Sequence, residues 1–493
     1  MNSALEIKKA LAQINLSDLM PEIIIACAIC ILLVVELFVP KGKKRILAYL
    51  SLVALAVSFF FLVRLHLAGQ WETTYSGLFV LDAYAIFFKY IFLTAAFLSI
   101  LISVKYLDIE DAHLGEYYPL MLSAVLGMMF MASGSDLISI YVALELMALS
   151  VYVLVGFLKA NRKSNEAALK YFVLGAFSSA FFIYGISLFY GVTGTTNLAV
   201  LQRVLASSGN HTILLLGTVM MLVGLGFKVA AVPFHMWAPD AYEGAPTPIT
   251  AFISTAPKAA AFAIFMRIFV NGIFALRADW TDLLWFLSAA TMTLGNVIAV
   301  SQTNMKRMLA YSSISHAGFM LIGIIAADRA GVEFSIGGLM LYALIYMFMN
   351  IGAFAMVVML RRKELVGDEL KDFSGLMKRS PLAGLVMLVF LLSLAGIPPT
   401  AGFIAKLFIF GAAIKAHFYV LAVIAGLNTA IALYYYVRVI VYMFVDEPLE
   451  SYAFSTSYEL IVALIVTTAF TLGIGLYPQP FIDLAKSSVL KIP

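Results

Sequence analysis

The chain has 493 residues, 63% of them hydrophobic and only 12% charged, with a formal net charge of +4 and a mean hydropathy of +0.98. No soluble globular protein approaches this apolar content, so the chain reads as an integral membrane protein with no room for a soluble nucleotide-binding or catalytic domain. It carries no Walker P-loop, no glycine-rich dinucleotide fingerprint, no metal-ligand spacing among its six histidines and no cysteine framework; energy for any transport must come from a partner or an ion gradient, and no nucleic-acid partner is expected.

The first 22 residues form a short mixed-charge segment without the pattern of a cleaved signal peptide. Windows of about 20 apolar residues then predict an all-α polytopic fold of about fourteen spans, near 21–40, 46–68, 79–104, 117–132, 136–158, 170–191, 212–231, 247–272, 283–301, 306–327, 335–360, 382–414, 418–445 and 456–477. Cys27 and Cys30 share one face of the first span and read as ordinary buried thiols. Lys and Arg concentrate in alternate loops: four in 41–45, four in 159–170, two in 302–307 and six in 361–380. The positive-inside rule makes these loops cytoplasmic and both termini external.

Shifting the chain by 165 residues lays Val229 to Pro233 on Leu394 to Pro398 without a gap. Each unit then holds five spans, 117–272 and 283–445, between an N-terminal group of three spans (1–110) and a last span with its tail (456–493). An odd span count inverts the second copy, which is the inverted-repeat plan of secondary transporters, with a broken helix at the corresponding place in each half. Pro233 and the pair Pro398 and Pro399 mark the predicted breaks, because proline removes a backbone donor and clashes with the preceding turn.

Ionisable residues inside these spans are the candidate site, since each costs roughly 2.5–3.5 kcal/mol at mid-membrane unless it faces water or a partner. In chain order they are Glu145, Lys170, Lys228, His235, Lys258, His316 and Lys406. Glu145 lies near the middle of its span, where desolvation and a nearby lysine pull its proton affinity in opposite directions. The competing reading is a static Glu–Lys pair. Lys228, just before a break, Lys258, just after Pro257, and Lys406, eight residues after Pro398, read as lysines whose proton affinity a partner switches; snorkelling is the alternative. His235 and His316 read either as relays titrating near neutrality or as packing histidines. Lys170 starts its span beside a basic loop and is equally readable as interfacial. Lys306 and Arg307 read as topology anchors, and Glu36 and Lys89 stay unassigned.

The stretches ELMALSVYVLVGF, GFKVAAVPFHMWAPDAYEGAPTPITAFISTAPK, QTNMKRMLAYSSISHAG and GIPPTAGFIAKLFIF resemble hallmark segments of the antiporter-like membrane subunits of respiratory complex I, the proton-pumping NADH:quinone oxidoreductases. The resemblance covers about 117–445 strongly. It is nearest the subunit N type: the chain ends after fourteen spans without the lateral helix of the L type, and Lys406 stands where the M type usually has a glutamate. It implies a Glu145–Lys228 pair in a first half-channel, a relay through Lys258 with His235 nearby, an exit through Lys406, and a connection from Glu145 through Lys170. It also implies no cofactor in this chain, with flavin and iron–sulfur clusters in partner subunits that handle NADH and quinone. A homologous M-type subunit would flank it on one side and small K- and J-type subunits on the other. The Mrp-type cation/proton antiporter subunits and the membrane subunits of energy-converting hydrogenases share these motifs and are the alternatives.

Overall fold

The computed structural model describes residues 16–40, 43–69, 71–74, 77–112, 114–205, 210–361, 367–448 and 456–490. The first fifteen residues and parts of the basic loops at 41–45 and 361–380 lie outside the described residues. The helices that matter for the site are α1 (Met20–Phe38), α2 (Arg45–Ala68), α3 (Ala83–Ile109), α4 (Tyr117–Ser133), α5 (Leu137–Val155), α6 (Arg162–Thr193), α7 (His211–Val229), α8 (Trp237–Gly244), α9 (Thr247–Ile253), α10 (Ala256–Met266), α11 (Arg277–Ser301), α12 (Met305–Ile325), α13 (Val332–Leu360), α14 (Pro381–Ala395), α15 (Ala401–Lys415), α16 (Tyr419–Phe444) and α17 (Tyr458–Leu476). A single antiparallel ribbon, β1 (Glu72–Thr74) with β2 (Phe79–Leu81), joins α2 to α3 and pairs Glu72 with Leu81. Among the described residues twelve helical stretches are long and apolar enough to cross a membrane, and α4 and α14 are shorter apolar helices. The fold is therefore the expected all-α bundle, and each of the fourteen expected segments has a helical counterpart.

Polar residues at the span ends start the helices. Asp82 accepts from the Ala85 amide at 2.7 Å, Asp136 from Ile138 at 2.8 Å, and Asn304 from Arg307 at 3.1 Å, each satisfying an amide that the first turn leaves unpaired. With nearly uniform apolar composition, burial decides which helix is central. The 247–272 stretch and α13 are wholly buried over their apolar windows, whereas α1, α2, α16 and α17 bury a third or less. α13 touches α3, α9, α12, α14, α15 and α17 and is the post around which the second half packs. Small residues permit the closest approaches. A Cβ on Gly318 would come within 2.7 Å of the Met292 backbone nitrogen, so α11 and α12 can meet at this distance only through glycine.

The structure corrects two sequence expectations. Cys27 and Cys30 are exposed, because α1 packs inward through Glu22, Ile25 and Leu32 and turns the cysteine face outward. The two proline breaks match one residue away from the offset read in the sequence. Ala230 (φ 60°) and Gly396 (φ 85°) are both left-handed helix ends. Each is followed by the same closing hydrogen bond, from Ala231 to the Gly226 carbonyl and from Ile397 to the Leu392 carbonyl. Pro233 thus corresponds to Pro399, and both follow cis peptide bonds. A third break, not foreseen, separates α9 from α10 at Ser254 and Thr255.

Candidate functional site

The site grows out of these breaks. α7 ends at Val229, leaving carbonyls without intrahelical partners, and side chains from three other elements bond the backbone around the break. The Trp237 indole donates to the Phe227 carbonyl at 2.9 Å, Thr291 of α11 accepts from the Val232 amide at 2.9 Å, and Ser178 of α6 donates to the Gly224 carbonyl at 3.2 Å. Lys228, in the last turn, is 6% exposed and donates to the Tyr152 hydroxyl at 3.2 Å. Its ammonium also stands 5.6 Å from the Tyr152 ring centroid and 5.8 Å from that of Phe227. His235 lies inside the break, buried, with Nδ1 unpartnered.

Lys258 occupies the first turn of α10, directly after the third break, and is 1% exposed. It donates to Ser313 Oγ at 2.6 Å and to the Ser313 carbonyl at 3.2 Å, and lies 5.5 Å from the Tyr242 ring. One turn of α12 further on, His316 is 2% exposed. Its Nδ1 lies 2.6 Å from the Tyr342 hydroxyl and its Nε2 3.4 Å from the Tyr436 hydroxyl, and Tyr436 in turn meets Ser312. Lys406 completes the row at 4% exposure. It donates to the Ala395 carbonyl at 2.8 Å and sits 5.3 Å from the Phe319 ring, which stands 6.2 Å from the His316 ring. Gly396 makes room for it, since a Cβ there would meet the Lys406 stem at 2.7 Å.

Four of the expected residues, Lys228, Lys258, His316 and Lys406, thus lie buried across the two halves of the bundle. Between Lys228 and Lys258 stands an aromatic stack rather than a direct contact: Tyr152 against Tyr171 (4.7 Å), Tyr171 flat on Trp237 (4.2 Å) and Trp237 against Tyr242 (6.1 Å). Glu145 is not in hydrogen-bond contact with Lys228. Its Oε1 is buried and unpartnered, and it acts on Lys228 only at electrostatic range. The reason is local: Tyr152 lies two turns along the same face of α5 and places its hydroxyl on the ammonium. Lys170 is set apart from the row. It is half-exposed and bonded to Glu166 and Asp240, each at 2.8 Å, in a cavity of about 180 Å³ that Lys163, Glu243 and Arg307 also line.

Asp240 and Glu243 on α8 anchor that cavity, which lies at the lysine- and arginine-rich end of the spans. Arg307 reaches them at 2.9 and 2.8 Å. Burial pushes both carboxyls up, but hydrogen bonds from Lys170 and Arg307 to Asp240, and from Arg307 and Lys163 to Glu243, outweigh it and hold both below their ordinary values. Lys306, read as a topology anchor, is buried and donates to the Glu243 and Ala245 carbonyls at 2.7 and 2.8 Å, closing the end of α8.

Sequence reasoning missed the hydroxyl partners Tyr152, Ser313, Tyr342 and Tyr436, whose types are common throughout the chain. It also missed two buried ionic contacts outside the row. Lys89 of α3 and Glu22 of α1 pair at 2.6 Å, both essentially unexposed. Arg267 grips both Asp82 oxygens at 3.0 Å and donates to the Ala132 carbonyl at 2.7 Å. Among the described residues no group of three or more His, Cys, Asp or Glu side chains is poised to hold a metal.

Comparison with known proteins gives the family. Residues 134–432 match the family model described as NADH:quinone oxidoreductase/Mrp antiporter, transmembrane. Subunit N of the NADH-quinone oxidoreductase of Trichlorobacter lovleyi is 47% identical over 482 residues, 97% of either chain. Subunit N 2 of Solibacter usitatus is 45% identical over 483 residues, 96% of this chain and 97% of that one. Among solved structures, a chain of respiratory complex I from Thermus thermophilus with bound aureothin aligns with a TM-score of 0.80 and 33% identity over 95% of this chain and all of that one. A chain of the Mrp complex from a Dietzia species shares the fold, with a TM-score of 0.82 and 22% identity over 96% of this chain and 97% of that one. The chain belongs to the NADH:quinone oxidoreductase/Mrp antiporter membrane family, among the antiporter-like subunits of the subunit N type.

Proposed function

We propose that this chain translocates protons as the N-type subunit of an NADH:quinone oxidoreductase, through Glu145, Lys228, His235, Lys258, His316 and Lys406. The observation that carries the reading is the chemistry of the lysines' partners. Lys228, Lys258 and Lys406 are buried yet rest on hydroxyl and carbonyl oxygens, whereas the structural lysine Lys89 is paired with a carboxylate. A buried lysine with neutral partners can give up its proton without orphaning a buried anion. One locked to a carboxylate cannot, since breaking such a pair costs about 3–5 kcal/mol.

In this reading, redox chemistry in partner subunits alters the charge near Glu145, and Lys228 loosens its contact with Tyr152. Its proton passes to Lys258 through water that enters as the stack of Tyr171 and Trp237 opens. Ser313, His316 and Tyr342 carry charge onward, and Lys406 releases a proton on the opposite side. Lys170 belongs to the basic-end cavity and serves as a collector rather than a member of the row. The reading includes two inverted five-helix units, 117–272 and 283–445. It places the chain in a bacterial inner membrane with the basic loops cytoplasmic and both termini external. An M-type neighbour lies on one flank and K- and J-type neighbours on the other, with flavin and iron–sulfur clusters held elsewhere in the complex. The named relatives, matched over nearly their whole length, favour this over an Mrp-type antiporter.

The test is Lys258→Met beside Lys89→Met in the assembled complex in proteoliposomes. Lys258→Met should lower the ratio of protons moved to NADH oxidised, while Lys89→Met should lower assembly and leave the ratio of whatever assembles unchanged. Full pumping by Lys258→Met refutes the proposal.

A further inference from the structure

Outside the lysine row, a run of buried hydrogen bonds leaves His316 and ends near the outer face of α11. Its polarity can be read from its far end. Asn428 Nδ2 lies 2.9 Å from the Ile424 carbonyl and 3.1 Å from Thr293 Oγ1. A carbonyl only accepts, so the amide orientation is fixed and Asn428 Oδ1 must face Asn296 Nδ2, at 3.2 Å. Asn296 then turns Oδ1 to Tyr435, whose hydroxyl at 3.0 Å has to donate. Thr293 itself donates to the Ala289 carbonyl at 2.8 Å. Every donor along the run therefore points away from the protein centre, and a backbone carbonyl anchors its end.

With its proton committed outward, the Tyr435 oxygen is left as an acceptor, and the ring of Tyr436 lies 4.4 Å from its own. When Tyr436 donates to Tyr435 or to Ser312, it presents a lone pair to His316 Nε2. That arrangement suits a neutral imidazole with its proton on Nε2 and with Nδ1 free to accept from Tyr342 at 2.6 Å. We propose that Asn296 and Asn428 are positioning residues that set the tautomer of His316, so that Nδ1, facing α13, is the nitrogen that takes up a proton. The other groups around the imidazole are Lys258 of α10 and Lys406 of α15 at electrostatic range, Tyr346 of α13 at 5.0 Å between rings, and Ser312 and Ser313 of its own helix.

This inference rests on the reading of His316 as a proton carrier, and the experiment separates the two. In the assembled complex in proteoliposomes, the proton-to-electron ratio is measured against pH for His316→Gln, Asn428→Leu, Tyr435→Phe, Thr293→Ser and the double variant His316→Gln/Asn428→Leu. Asn428→Leu and Tyr435→Phe should lower the ratio no further than His316→Gln does and shift its pH profile by about one unit, a tenfold change in proton occupancy. Thr293→Ser, which keeps the hydroxyl, should behave as wild type, and the double variant should match His316→Gln alone. A fall in thermal midpoint with ratio and profile unchanged would mean that the amides only join α11 to α16, and would overturn the inference. A His316→Gln variant that pumps normally overturns the role of His316 first. Tyr435→Phe keeps the ring and its packing and carries the test where Asn428→Leu does not assemble.

Discussion

The two left-handed helix ends offer a paired test of how the breaks hold their lysines. Gly396 stands at φ 85° and Ala230 at φ 60°, so the same backbone conformation is occupied once by glycine and once by a residue that resists it. Gly396→Ala adds the left-handed penalty of roughly 1–2 kcal/mol. Its Cβ would also lie 2.7 Å from Lys406 Cδ and 3.2 Å from Nζ, so the flexible lysine stem must move away. Moving it loosens the 2.8 Å bond to the Ala395 carbonyl, a charge-assisted contact worth about 1.5–3 kcal/mol. The combined cost is about 2.5–5 kcal/mol, a large share of an ordinary margin of stability. Ala230→Gly relieves the same penalty and should stabilise by about 1 kcal/mol. The assays are thermal unfolding of the purified complex and the proton-to-electron ratio in proteoliposomes. Gly396→Ala should lower both, its ratio approaching that of Lys406→Met. Gly396→Ala complexes with unchanged thermal midpoint and unchanged ratio would refute the claim that this glycine exists to admit Lys406.

Further outcomes follow from the charge pairs. Glu22→Gln alone should destabilise by about 3–5 kcal/mol because it strands Lys89, while Glu22→Leu with Lys89→Met should recover most of the loss, as read by thermal unfolding. Asp240 and Glu243 are held below their ordinary values of 3.8 and 4.5 in the folded state. Their contribution is therefore complete above those values and lost as pH falls through the lowered ones. Unfolding midpoints measured from pH 7 down to pH 3 should drop in the acid part of that range, and Arg307→Gln should flatten the drop. Tyr152→Phe, which removes only the hydroxyl on Lys228, should reduce pumping and lower the unfolding free energy by about 1.5–3 kcal/mol, the worth of one charge-assisted hydrogen bond.

The lysines were legible in the sequence because charge inside an apolar run is rare, and the prolines because their effect on a helix is local. The partners were not. Among 24 tyrosines nothing in the order of residues distinguishes Tyr152 or Tyr342, and which hydroxyl meets which ammonium depends on how distant helices cross. The same gap accounts for Glu145, where the residue types suggested a direct pair with Lys228 but the spacing along α5 brings Tyr152 to the ammonium first. Lys170 was readable as interfacial or as part of the row. Its neighbours Asp240 and Arg307 come from far along the chain, so only the fold could place it beside a surface cavity. Glu22 and Lys89 lie near span ends and raised no alarm singly, since the signal is their proximity. The third break escaped notice because no proline occupies it; Pro257 follows instead, inside the first turn of α10.

The cations of the interior divide by whether their charge could leave. Arg267 cannot be deprotonated in a protein, and it is fastened by a two-toothed grip on Asp82 and by the Ala132 carbonyl. Lys89 could be deprotonated, yet its carboxylate partner holds the charge in place. Lys228, Lys258 and Lys406 have neither constraint, and each stands beside a break in its helix. The coincidence has a physical cause. A broken helix frees carbonyls that in a membrane cost several kcal/mol each if left bare, and an ammonium is a compact donor that can take one up, as Lys406 does with Ala395. At Lys406 break and lysine thus stabilise one another without any anion, so a proton can depart while the backbone recovers its bond from water. An arginine at Lys406 would satisfy the carbonyl equally well but could not release the proton. Lys406→Arg should therefore assemble as wild type and still fail to pump through this chain, whereas a Lys406→Arg complex with a normal proton-to-electron ratio would show that deprotonation at this position is not part of the path.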